Sequence, residues 1–389
     1  MKIAAILGTS SEAIKLAPII RELRSDREFE CHVCVTDQRQ QEVDRLLEAF
    51  EIVPDSSLDL TAPGLSLSGL TSVAIAMFDA FLRRETPHMV MVEGASTISL
   101  AAALAAFYRN IPVLHLETDV QAAEVRSQWP EEANRVLIRR LAELHFAATA
   151  VNQRDSLAEP VSPESVIVAG STFVDALYYA VERLRRRPLE VPGLPPQVMS
   201  RDARTPLVLI AGRGHQSFDC KLESLCREIA EIAQLFPQAH FVYSIRLGEN
   251  VRTSAQRSFA GRDNVHLMQH VPYFEFVALM ESARVILTDS RDVQKEARAL
   301  GKPVVAFFED SHPQNTQTET TLSFPDSRKD RIVSETSLLL SDDSYLASQS
   351  KVILSCGDGH AAARIVRAIK TRYGRSPSRA MCAEGATIS

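Results

Sequence analysis

The chain has 389 residues, 45% of them hydrophobic and 24% charged, with a formal net charge of -6, which is the profile of a globular protein long enough for two cores. That balance excludes a nucleic-acid binder, and the longest apolar run, Ile98 to Phe107, has about ten residues and is too short to span a bilayer. The six cysteines lack regular spacing and fit reduced thiols, so a cytoplasmic protein is expected, without membrane insertion.

The opening MKIAAILG is a short apolar run ending in a glycine turn, which predicts a first strand rather than a signal peptide. A helix over 12–24 and a strand over 31–36 follow. Cys31 and Cys34 mimic a metal pair, but positions three apart on a strand face opposite ways, so no metal site is expected. Then come a helix over 41–50, a Ser/Pro/Gly-rich loop over 54–68, a helix ending near Arg84, a strand over 89–93, a helix over 96–108 and a strand over 111–117. The alternation predicts a parallel sheet, and it gathers the loops after its strands, Gly8 to Ser11, Gly94 to Ser96 and Glu117 to Asp119, on one edge.

Trp129-Pro130-Glu131-Glu132 opens a helix reaching about Leu141, with two carboxylates at the positive end of the dipole. Capping alone accounts for that pattern, and Glu131 with Arg135 could equally be a stabilising pair on one face. Strands over 145–148 and 166–168 lead to a helix ending in the basic run Arg183 to Arg187, which reads as the solvated end of a helix stopped by Pro188. Pro188 to Pro206 is proline-rich and without period, a linker.

The second half repeats the alternation, with strands over 207–211, 240–245, 285–288 and 304–308. Gly212-Arg213-Gly214 is a weak phosphate-loop signal, since a third glycine is missing. Within Val285 to Val305, Thr288-Asp289-Ser290 suits a helix N-cap, and the helix stops at Gly301 before another strand. Such a helix N-terminus, beyond the carboxyl end of a strand, would dock an anion at Ser290. The expected organisation is α/β. It comprises a Rossmann-like domain over 1–187, a linker over 188–206, a second Rossmann-like domain over 207–355, a helix over 356–374 crossing back to the first, and a tail over 375–389. The two doubly wound sheets are expected to face across a cleft.

Several motifs together resemble the non-hydrolysing UDP-N-acetylglucosamine 2-epimerases. They are Gly8-Thr9 with Glu12-Ala13-Ile14-Lys15, WPEEANR (Trp129 to Arg135), Thr288-Asp289-Ser290, Glu296-Ala297, GKPV (Gly301 to Val304) and Gly357-Asp358-Gly359. The resemblance implies a fold like that of the GT-B glycosyltransferases. It also implies a cofactor-free reaction, in which UDP leaves by anti-elimination with loss of the C2 proton and is re-added after a proton returns from the opposite face. It implies a UDP-sugar ligand, a homodimer or a partner enzyme, and a setting in surface-polysaccharide synthesis.

Carried over position by position, the catalytic candidates are Glu117, Glu131 and Arg213. The substrate-binding candidates are Ser10, Lys15, Ala95, Arg135, His215, Ser290, Arg291, Asp292 and Glu296, the last for the ribose hydroxyls. Several depart from the family pattern: Ser10 replaces an arginine, Ala95 a catalytic aspartate and Arg213 a catalytic histidine. Thr118 and Asp119 replace Ala-Gly, and Arg291-Asp292 replaces a glycine pair. These losses predict a sugar-nucleotide-binding homologue with weak or no epimerase activity. The alternative is an active UDP-GlcNAc/UDP-ManNAc 2-epimerase or a related UDP-sugar epimerase. A glycosyltransferase is disfavoured, because Glu296 has Val304 eight positions on where retaining transferases of this fold carry a second glutamate.

Overall fold

The computed structural model describes residues 1–36, 40–60, 64–117, 129–157, 161–199, 205–212, 219–245, 249–268, 271–307, 321–324, 329–352 and 357–374. By packing, the chain divides into Met1–Tyr178 with Ser355–Ser389, and Tyr179–Leu354.

The first unit runs β1 (Lys2–Leu7), α1 (Ser10–Ser25), β2 (Glu30–Thr36), α2 (Gln40–Ala49), β3 (Ser56–Leu58), α3 (Leu67–Glu85), β4 (Met89–Glu93), α4 (Thr97–Tyr108), β5 (Val113–Glu117), α5 (Glu131–Leu141), β6 (Leu144–Ala147), α6 (Ala150–Leu157), β7 (Val166–Val168) and the start of α7 (Thr172–Arg186). Its strands form one parallel sheet in the order β3-β2-β1-β4-β5-β6-β7, with Ile3 opposite both Cys31 and Met89. Helices cover both faces, so the central strands are apolar on both sides rather than alternating. Ala4, Ile6, Val90 and Val92 pack with Ala101, Ala102 and Ala105 of α4 and Phe78, Phe81 and Leu82 of α3. Cys34 belongs to this core, and burial pushes the Cys31 and Cys34 thiols up to about 12, so neither is held as a thiolate.

The second unit holds β8 (Leu207–Gly212), α8 (Asp219–Leu235), β9 (His240–Ile245), α9 (Glu249–Ser258), β10 (Val265–Met268), α10 (Tyr273–Ser282), β11 (Ala283–Thr288), α11 (Arg291–Ala299), β12 (Val304–Phe307), β13 (Thr321–Phe324), α12 (Lys329–Ser341) and α13 (Asp343–Gln349). Its parallel sheet has the order β10-β9-β8-β11-β12-β13, and Val208, Ile210, Phe241, Val285, Leu287 and Val305 pack against Leu225, Ile229 and Ile232 of α8. Both sheets are therefore doubly wound and Rossmann-like. The short strand β3 falls within the Ser/Pro/Gly-rich loop expected over 54–68, and β10 and β13 fall where no strand is expected from the sequence. Each is a sheet edge or its neighbour to solvent, paired along one side, and needs no apolar run to hold it.

The chain returns to the first unit in α14 (Ala361–Tyr373). Asp175 of α7 caps this helix from a distance, accepting the amides of Ala361 at 3.2 Å and Ala362 at 2.9 Å. Lys370 near its end pairs with Asp26 at 3.2 Å and Glu28 at 2.6 Å. Between Arg187 and Leu207, Val191 and Val198 are buried and Pro196–Met199 forms a 3-10 turn. Among the described residues no helix is long and apolar enough to cross a membrane.

Candidate functional site

In a doubly wound sheet the strand order reverses at one point, and the loops leaving the two strands there diverge to opposite faces, which opens a crevice at their carboxyl ends. In the first unit that point lies between β1 and β4, and in the second between β8 and β11. Gly8-Thr9, after β1, and Asp289-Ser290, after β11, fall on these loops.

At the first edge, β1 runs into Gly8 and Thr9, and the Thr9 hydroxyl caps α1 by accepting the Glu12 amide at 3.2 Å. Ser10 is the first residue of that helix. The Glu12 carboxylate turns back to accept the Gly8 amide at 2.5 Å and the Ser99 hydroxyl at 3.1 Å, tying the β1–α1 loop to α4. Burial raises its proton affinity above the usual carboxylate range, against the hydrogen bonds from Ser96, Gly8 and Ser99. In the second turn of the helix, Lys15 Nζ meets Glu93 Oε1 at 2.7 Å, with side chains only 5% and 3% exposed.

Glu93 ends β4 and leads into the Gly94-Ala95-Ser96 turn. Gly94 takes a positive φ of 66°, its carbonyl lies 2.8 Å from His115 Nε2, and the Ala95 carbonyl accepts Asn134 Nδ2 at 3.1 Å. Ser96 caps α4 by accepting the Ser99 amide at 3.0 Å. Asn134 lies in α5, so the helix of the WPEEANR segment is fastened to this turn. Within α5, Arg135 forks onto Glu132, Nε to Oε2 at 3.0 Å with a second contact from its NH2 group, and both are buried, while Glu131 is exposed at the helix start. Pro130 occupies the N-cap position, one place before the first helical residue.

At the second edge, β8 ends at Gly212 beside Asp289. A Cβ on Gly212 would run into the Asp289 carboxylate, so a larger residue there would have to turn that side chain aside. Ser290 is the N-cap of α11 and is buried, as the sequence suggests. Its amide donates to Thr288 Oγ1 at 3.0 Å, so an anion at this terminus would meet the amides of Arg291 to Val293 instead. Arg291 is exposed; Asp292 pairs with Lys295 at 3.6 Å. Glu296, 2% exposed, accepts the Tyr273 hydroxyl at 3.1 Å. Burial, and then the Asp292 charge one turn before it, push the Glu296 carboxyl well above the usual range, with the Tyr273 bond opposing.

The profile of the UDP-N-acetylglucosamine 2-epimerase family matches residues 21–370. The chain is 36% identical to a probable UDP-N-acetylglucosamine 2-epimerase of Ralstonia nicotianae over 372 residues, which cover 96% of this chain and 99% of that one. It is also 36% identical to the UDP-N-acetylglucosamine 2-epimerase of Salmonella typhimurium, over 95% of this chain and 99% of that one. A crystal structure of the Neisseria meningitidis UDP-GlcNAc 2-epimerase bound to UDP-GlcNAc superposes with a TM-score of 0.82, at 32% identity, over 95% of this chain and 100% of that one. The chain belongs to the UDP-N-acetylglucosamine 2-epimerase family.

Of the positions matched to the family pattern, Ser10, Lys15, Ala95, Glu131 and Arg135 lie on the first unit's loop edge or on the helices fastened to it, and Ser290, Arg291, Asp292 and Glu296 on the second unit's. Glu117 ends β5 in register with Ala147, but its side chain lies outside the described residues, as do Arg213, His215, Thr118 and Asp119. Sequence reasoning missed the groups that hold these loops in place: Glu93 on Lys15, His115 and Asn134 on the Gly94–Ser96 turn, and Tyr273 on Glu296. Asn134 stands inside WPEEANR, so its motif was the one available signal. The others pair across 21 to 78 positions, and no local pattern marks them.

Proposed function

We propose that this family member binds a UDP-sugar and epimerises it weakly or not at all. The observation that carries this reading is the Gly94–Ser96 turn. Its backbone is held by His115 and Asn134 in a defined geometry, yet it presents the methyl group of Ala95 where the family pattern has a carboxylate. Epimerisation at C2 requires a group to take the proton from one face and a group to return it from the other, while UDP leaves from C1 and is re-added. A methyl group can do neither, and losing one positioned acid or base typically costs about two to four orders of magnitude in rate.

Charge at the second unit's edge supports the same reading. Asp292 in the first turn of α11 supplies to the helix dipole the negative charge that a diphosphate would otherwise bring. It opposes that diphosphate, and Arg291 beside it can offset the opposition only by turning onto the phosphate. Glu296 accepts the ribose hydroxyls in this reading, which sets the nucleotide as uridine diphosphate rather than its deoxy analogue. A homodimer and a cytoplasmic place in surface-polysaccharide synthesis belong to the reading and rest on the family resemblance.

The test is incubation with UDP-N-acetylglucosamine in deuterium oxide, following label at C2, together with calorimetric titration by UDP. Measurable UDP binding with label uptake below about a hundredth of that of an intact relative is the expected result. Rapid uptake would replace this reading with that of an active 2-epimerase.

A further inference from the structure

Glu296 is buried on α11, and a carboxyl there has to be fixed in rotation before it can serve as a directional acceptor. Its χ3 torsion is broad and roughly two-fold, so packing alone leaves its two oxygens free to exchange places. Tyr273, the first residue of α10, reaches it across 23 positions of sequence and donates its hydroxyl to Oε1 at 3.1 Å. Oε2 makes no hydrogen bond among the described residues. The phenol ring is set by an edge-on contact with Phe274, with centroids 5.9 Å apart at 89°, so the donor itself is held in place. Among the described residues, the charged or titratable groups acting on this carboxyl are Tyr273 from α10 and Asp292 from its own helix.

We propose that Tyr273 is a positioning residue of the nucleotide seat, holding Glu296 Oε1 so that Oε2 is presented to the ribose hydroxyls. The inference rests on the reading that Glu296 takes the ribose. One hydrogen bond to an ionised carboxylate amounts to roughly tenfold to a hundredfold in affinity, and it is lost when the donor hydroxyl is missing from the ligand.

The full-length protein and its Tyr273→Phe and Glu296→Gln variants are titrated calorimetrically with UDP and with 2′-deoxy-UDP. Phenylalanine keeps the ring contact with Phe274, and thermal melting checks the fold. The wild type is expected to prefer UDP by about tenfold or more. In Tyr273→Phe that preference should fall to about a third or less of its wild-type value, while affinity for 2′-deoxy-UDP changes by less than about twofold. A merely structural tyrosine would not do the following: because its hydrogen bond favours the ionised carboxyl, removing it should move the acid-side loss of UDP affinity to higher pH. A preference retained in Tyr273→Phe but lost in Glu296→Gln overturns the role of Tyr273 alone. A preference near one in the wild type and Glu296→Gln alike, or no UDP binding at all, refutes the ribose reading and the inference with it.

Discussion

Replacing Lys15 with methionine tests the electrostatics of the first unit's loop edge. The ammonium sits 2.7 Å from Glu93 Oε1, with both side chains almost wholly removed from water at 5% and 3% exposure. At an effective dielectric of 20 the attraction at that separation is about 6 kcal/mol. Desolvation of two ions offsets most of it, so the pair as a whole adds little to stability; breaking it by removing one member is another matter, because the remaining charge stays buried, and the usual cost is about 3–5 kcal/mol. Lys15→Met should therefore destabilise the first unit by about 3 kcal/mol or more. The double variant Lys15→Met with Glu93→Met should come back to within about 1 kcal/mol of the wild type, since two apolar side chains of similar size then fill the space. Urea unfolding, with the slope checked for each variant, measures both values. If the single variant loses less than about 1 kcal/mol, or the double variant is no better than the single, the pair is not a desolvated ion pair and the argument fails.

Removing the Asp292 carboxylate should tighten UDP binding by about tenfold at neutral pH. It should also lower the Glu296 carboxyl, which burial first and Asp292 second push up, so that affinity in Asp292→Gly survives to lower pH than in the wild type; titrations between pH 5 and pH 8 follow both effects. Asp358 is held down to about 2 by the Arg364 guanidinium beside it. A depressed carboxylate contributes stability that is present above its unfolded value of 3.8 and is lost as pH falls through about 2, so the stability deficit of Arg364→Met should shrink between pH 4 and pH 2, read by denaturant melts at each pH. Gly359 has a φ of 81°, and a Cβ there would lie 2.5 Å from Tyr178 Cδ2, so Gly359→Ala should cost about 1–3 kcal/mol in a chemical melt of the first unit; an unchanged midpoint would show that the tyrosine ring yields freely.

The sequence by itself determined the alternation of short apolar strands with amphipathic helices, hence two doubly wound parallel sheets. It also marked where α4 and α11 begin: Ser96 caps α4 with its hydroxyl, and Ser290 holds the N-cap position of α11 without a side-chain capping bond. Through motif spacing it marked the candidate residues, and through substitutions such as Ala95 and Asp292 it marked where this chain departs from its family. These are local properties, written in periodicity, capping and residue identity. The tertiary structure decided which of those residues share an edge, because the strand order puts β1 beside β4 and β8 beside β11 although many residues separate them in the chain. It also decided the pairings that fix their charge and direction, Lys15 with Glu93, Asn134 with Ala95, Arg135 with Glu132 rather than Glu131, and Tyr273 with Glu296. A buried charge or hydrogen-bonding group must find its complement wherever the fold brings one near, and that neighbour is set by sheet order and helix packing rather than by any period along the sequence.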